Sequence, residues 1–146
     1  MTAPLPAVPD GFVPLFRTSP FLDLTGPYFH RPLAQGFLIG LRIAPMHTNA
    51  SGTWHGGAIA TLADVALGYV TAASRKPPLR MVTSSLGVDY VGAAQVGDWV
   101  RAEVQVTKAG SRLAFAQALI TAIPPQGEAQ PVASARAVFL VVGVLG

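Results

Sequence analysis

The sequence predicts an α+β protein in which a curved antiparallel sheet of five to six strands wraps one long central helix. Three observations lead there. From Trp54 to Ser74 the chain is apolar with helical spacing, and Asp64 is its one permanent charge. One strand-like stretch precedes this run and four follow it. The later stretches are joined by links of hairpin length. One helix cannot cover both faces of such a sheet. The sheet should therefore curl around it, and a second subunit should cover what is left.

The elements follow in chain order. Residues 1–34 hold seven of the thirteen prolines, so no regular element runs far there, and they read as an arm on the body. Ser19 and Pro20 suit the cap and first position of a short helical turn. Phe12, Phe16, Phe21 and Leu24 are the arm's candidate contacts. Residues 35–146 read as a single domain. Gln35 to Ala44 alternates, with Phe37, Ile39, Leu41 and Ile43 on one face, and Pro45 ends that strand. A polar loop leads to His55-Gly56-Gly57, where the helix starts. Ile59, Leu62, Ala63, Ala66, Tyr69 and Val70 form its apolar face, and Arg75-Lys76-Pro77-Pro78 ends it.

Met81 to Val91 is the next strand. Strict alternation puts Val82, Leu86, Val88 and Tyr90 on one face, with Thr83, Ser85 and Asp89 on the other. Val96 to Lys108 places Val100, Ala102, Val104 and Val106 inside. Ala109-Gly110-Ser111 turns into Arg112 to Ile123, and a second turn leads to Pro131 to Val142. The run from Ala137 to Val142 is apolar on both faces and belongs centrally.

Composition narrows the function. Half of the 146 residues are hydrophobic and 12% are charged, a high apolar load that points to surface shared between subunits. A net charge of +3 without clustering suits an anionic small molecule and not nucleic acid. The absence of cysteine excludes a thiol nucleophile, and His30, His47 and His55 lack ligand spacing, so no metal site is expected. There is no Gly-x-Ser-x-Gly elbow. The long helix carries Asp64, two threonines and many small residues, which fits a buried core helix better than a membrane span. A cytoplasmic protein is expected.

The element order, His55-Gly56-Gly57 at the helix start and Asp64 nine residues after His55 resemble the hot-dog-fold acyl-CoA thioesterases, in particular the phenylacetic-acid-degradation (PaaI-like) branch. Asn49, Thr83 and the hairpin stretch from Lys108 to Phe115 extend the resemblance, which runs from about Gln35 to Val142. It implies hydrolysis of an acyl-CoA thioester with no cofactor beyond the coenzyme A of the substrate. It also implies catalytic roles. The Gly56 N–H would polarise the carbonyl, and Asp64 would be general base or nucleophile. Asn49 would position water or carbonyl, and Thr83 would support Asp64 or the water. The family forms homodimers, often paired into homotetramers.

Physical chemistry is consistent with these roles. A helix amino terminus offers free N–H groups and a positive dipole end to a developing oxyanion. Glycines at 56 and 57 let a substrate approach the backbone. Eight positions separate Gly56 from Asp64, roughly 12 Å along a helix, so one helix cannot bring both to one carbonyl. Two antiparallel helices across a two-fold axis can.

Plainer readings stand beside these. Asp64 is also compatible with a structural bond to a neighbouring strand's hydroxyl. His55 serves equally as a helix-start residue or as support for the substrate loop. Lys108, Ser111 and Arg112 at the hairpin turn, with Arg75, Lys76 and Arg80 after the helix, suit either solvated surface or a basic mouth for coenzyme A phosphates. Gly57, Ile59 and Tyr69 are the other candidate substrate contacts. A hydratase or dehydratase pairing His55 with Asp64, and a non-catalytic acyl-CoA-binding protein, are the alternatives to hydrolysis.

Overall fold

A computed structural model describes residues 4–145; the extreme ends of the arm and body, 1–3 and 146, lie outside the described residues. The helix predicted from His55 onward is α2, Gly56–Ala73. It starts because His55 is extended and its side chain caps, and it stops where Ser74 and the arginine-lysine-proline run begin. Ile59, Leu62, Ala63, Val65, Ala66, Leu67, Val70 and Thr71 are buried on it. α2 has the length and hydropathy of a membrane span; in this fold the sheet wraps it.

Four strands follow α2: β4 (Leu79–Tyr90), β5 (Trp99–Ala109), β6 (Leu113–Ile123) and β7 (Gln130–Val144). β3 (Phe37–Arg42) precedes it. The sheet has seven strands, in the order β1-β2-β3-β5-β6-β7-β4, every neighbouring pair antiparallel. Two strands more than the residues after 34 supply come from the arm: β1 (Val13–Pro14) and β2 (Phe29–Pro32). The expectation of five to six strands is corrected on this point. These strands are short, and their prolines sit at strand ends near the sheet margin, where a missing N–H costs little.

The arm also differs in what it buries. Ser19 caps α1 (Pro20–Thr25), its hydroxyl accepting the Leu22 N–H at 3.3 Å, and Pro20 opens it. Only Leu22 of α1 is buried; Leu15 and Tyr28 join it in the core, while Phe16, Phe21 and Leu24 are exposed. Phe21 and Leu24, three apart, share the helix face opposite Leu22. Phe12 is buried elsewhere, with Leu38 and Trp99 in a small second core on the outer side of β3. His47 fastens the arm to the body. Its Nδ1 accepts the Ala44 N–H at 2.9 Å, and its Nε2 donates to the carbonyls of Thr25 (2.8 Å) and Gly26 (3.2 Å).

β4 departs from strict alternation. Thr83 pairs with Phe139 and Ser85 with Val138, so Ser84 is an extra residue without a partner on β7. The bulge reverses the facing. Met81 and Thr83 on one side of it, and Leu86, Val88 and Tyr90 on the other, all turn toward α2. Val82, which strict alternation puts on one face with Leu86, Val88 and Tyr90, is 52% exposed on the outer face.

Candidate active site

The chain enters α2 through a loop that Asn49 organises. Its Oδ1 accepts the N–H groups of Ser51 (3.0 Å) and Thr53 (3.2 Å), and its Nδ2 donates to the Thr53 hydroxyl at 2.9 Å. This side chain holds its own turn. The His55 N–H donates to the His47 carbonyl at 2.9 Å. The His55 Nδ1 then accepts the Gly57 N–H at 2.8 Å, so the neutral ring carries its proton on Nε2. Gly57 is what lets the ring come this close: a Cβ there would stand 3.1 Å from that nitrogen.

The other side of the same peptide group is held from β4. The Tyr90 hydroxyl donates to the Gly56 carbonyl at 2.7 Å. The peptide plane between Gly56 and Gly57 is thus pinned at oxygen by Tyr90 and at nitrogen by His55. The Gly56 N–H, one residue earlier, has no partner among the described residues. It is a free donor at the positive end of an 18-residue helix.

Asp64 lies two turns further along, half-buried. The Thr83 hydroxyl donates to its Oδ1 at 2.7 Å. Among the described residues no cation pairs with Asp64, and Oδ2 has no hydrogen-bond partner. A carboxylate steadied at one oxygen and open at the other can accept a proton from water. Asp64 and Thr83 stand in a groove of about 480 Å³ between α2, β4 and the arm, lined also by Phe16, Leu22, Tyr69, Met81 and Phe139. A larger depression of about 1140 Å³ over β5 and β6 contains neither Gly56 nor Asp64.

The structure therefore ties Thr83 to Asp64 and His55 to Gly57, and leaves the Gly56 N–H about 12 Å from Asp64 along the helix. Tyr69 lines the groove, and its hydroxyl donates to the Arg17 carbonyl at 3.0 Å. Burial raises the Tyr69 pKa, an effect only partly offset by the Arg17 cation, so the hydroxyl keeps its proton. Ile59, at 3% exposure, is in the core and is not among the residues lining the groove. Lys108, Ser111 and Arg112 stand at the β5–β6 turn, outside the groove. Arg75 donates to the Ala109 carbonyl there at 2.6 Å, which sets that turn beside the carboxyl end of α2, the end remote from Gly56.

Sequence reasoning missed Tyr90 as a partner of Gly56, because strict alternation across the Ser84 bulge put Tyr90 and Thr83 on opposite faces. It also missed the groove-lining Arg17, whereas Arg80, named with the basic residues after the helix, does line the groove. The histidines serve separately. His30 stacks edge-on against Phe16, His47 latches the arm, and His55 caps α2.

Comparison with known proteins gives the family and the fold. The sequence model of the thioesterase superfamily matches residues 51–129. A candidate esterase of Pseudomonas aeruginosa is 53% identical over 133 residues, covering 90% of this chain and 96% of that protein. Acyl-coenzyme A thioesterase 13 of Mus musculus is 30% identical over 82 residues, 56% of this chain and 57% of that protein. Among solved structures, zebrafish thioesterase superfamily member 2 has a TM-score of 0.74 at 28% identity, covering 86% of this chain and 88% of that one.

Proposed function

The chain belongs to the thioesterase superfamily, and on that premise we propose that it is an acyl-CoA thioesterase whose active sites form between two copies of the chain. The observation that carries this is the free Gly56 N–H at the start of α2 together with Asp64 held by Thr83 and by no cation. The Gly56 N–H of one subunit polarises the thioester carbonyl. Asp64 of the other takes a proton from water as the water oxygen attacks the carbonyl carbon. The tetrahedral oxyanion rests on the Gly56 N–H, the C–S bond breaks, and the proton on Asp64 passes to the departing thiolate. The products are a carboxylic acid and free coenzyme A. No other cofactor is needed in this scheme.

The β4 edge supports the assembly. Among the described residues β4 bonds only to β7, so the other edge of this twelve-residue strand is open to a second strand. Thr83 holds Asp64 and Tyr90 holds Gly56. For Gly56 of one subunit to meet Asp64 of the other, Tyr90 must lie opposite Thr83 across the two-fold axis. Counting Ser84 as the extra residue, antiparallel pairing then puts Gly87 on the axis and Ser85 opposite Asp89. Both supports turn inward in that register, and only the bulge makes this possible.

The test is time-resolved thiol release from a panel of acyl-CoAs by the intact protein and by Asp64→Asn. Hydrolysis that falls about 10²–10⁴-fold in the folded variant supports the reading. No release from any thioester by the unmodified protein, or full activity in Asp64→Asn, would remove it.

A further inference from the structure

We infer that the arm segment Phe16–Ser19 is the selectivity wall of the acyl site, favouring acyl groups long enough to reach Phe16; this rests on the thioesterase reading above. The groove begins at Asp64, the residue placed beside the reacting carbonyl. It runs past Val65, Gly68, Tyr69 and Ala72 to Ala73, the end of α2. The nine rises from Asp64 to Ala73 give it a length of roughly 13 Å. Met81 and Phe139 form its floor. A group attached to a carbonyl at Asp64 can follow this mainly apolar channel along the helix.

The arm closes the channel from above. Phe16 is 58% exposed, which is unusual for a large ring with three aromatic neighbours. His30 meets it edge-on at 5.1 Å, Phe37 at 5.5 Å, and Tyr69 is tilted against it at 5.8 Å. These rings hold Phe16 in position, and the face they leave free borders the groove. The hydrogen bond from Tyr69 to the Arg17 carbonyl ties the next residue of the arm to α2. An exposed, immobilised aromatic beside an apolar channel is a surface awaiting an apolar partner.

Size chooses among acyl groups. The groove's 480 Å³ is about three times the volume of a cavity that holds one benzene ring. An acetyl group leaves most of it empty. A phenylacetyl or octanoyl group extends along it far enough to reach Phe16.

The experiment compares kcat/KM for phenylacetyl-, octanoyl- and acetyl-CoA in the unmodified protein, in Phe16→Ala and in Leu24→Ala. Leu24 is an exposed arm position outside the groove. The unmodified protein should prefer the two larger substrates. In Phe16→Ala the ratio of each to acetyl-CoA should fall about tenfold, through KM more than kcat, and in Leu24→Ala it should not move. Thermal unfolding of each variant separates loss of fold from loss of selectivity. A ratio unchanged in Phe16→Ala overturns the inference. So does an equal loss on all three substrates, which would mean that the arm touches the coenzyme A moiety or only supports the fold. Both outcomes leave the thioesterase reading standing, whereas an unmodified protein inert on every thioester removes that reading itself.

Discussion

At one margin of the sheet lies β1, two residues long and ending in Pro14; at the other lies β4, twelve residues long with its outer side bare. Both are exposed strands at the end of the same sheet, yet they differ in every property that governs recruitment of another strand. β1 is too short to template pairing, and its proline offers no donor. β4 offers a full row of backbone groups. It also carries both supports of the site, Thr83 on Asp64 and Tyr90 on Gly56. The sheet is thus finished at the margin away from the candidate site and left open at the margin that carries it. An open edge of this length is a hazard for a monomer and an advantage for a dimer whose active sites need two chains.

Variants at the two margins should differ accordingly, and the largest effect belongs to the residue that β4 supports. Asp64→Asn keeps the hydrogen bond to Thr83 and removes the base, so kcat should fall about 10²–10⁴-fold with little change in thermal midpoint. Next is Tyr90→Phe. Loss of the hydroxyl frees the Gly56 carbonyl, and kcat should drop about tenfold while KM moves little, because the effect is on the alignment of a donor. A drop confined to KM would mean that Tyr90 serves binding instead. The register is read by Ser85→Cys with Asp89→Cys on the otherwise cysteine-free chain. Oxidation should join subunits covalently, since residues opposite each other lie within disulfide reach, whereas four residues along one strand do not. Failure to cross-link would break the register with Gly87 on the axis. Last, Val13→Ala on β1 should change stability by no more than about 0.5 kcal/mol and leave both rate and assembly as they were. A dissociated Val13→Ala dimer would show that the two margins had been assigned the wrong way round.

Much of this was legible in the chain because it is written locally. Helical spacing from Gly56 to Ala73, the cap at His55 and the hairpin-length links place α2 and the five strands of the body. Asp64 stands out as the one charge in an apolar run. What stayed hidden depends on contacts distant in sequence or on single inserted residues. β1 and β2 are shorter than the window over which alternation can be seen. Ser84 carries no compositional mark of a bulge, yet it decides that Thr83 and Tyr90 face α2 and that Val82 does not. Ile59 and Tyr69 looked alike on a helix buried on several sides, and the groove separates them. The resemblance gives Asn49 a catalytic role at the water or carbonyl, while in the structure its carboxamide bonds Ser51 and Thr53. Phe16 looked like one more packing residue of the arm until its three aromatic neighbours and its free face were seen together.

Subunit mixing tests the shared site most directly. Gly56→Pro deletes one N–H at the first helical position, where proline is tolerated and the extended His55 accommodates it, and should cost about 10²–10³ in rate. Asp64→Asn inactivates through the other residue. Neither homodimer holds an intact site, but a dimer with one subunit of each kind pairs an unaltered Gly56 with an unaltered Asp64. Unfolding and refolding the two variants together should restore about a quarter of the unmodified rate, from half the dimers with one working site of two. No recovery, with mixed dimers present, would contradict an active site assembled from two chains.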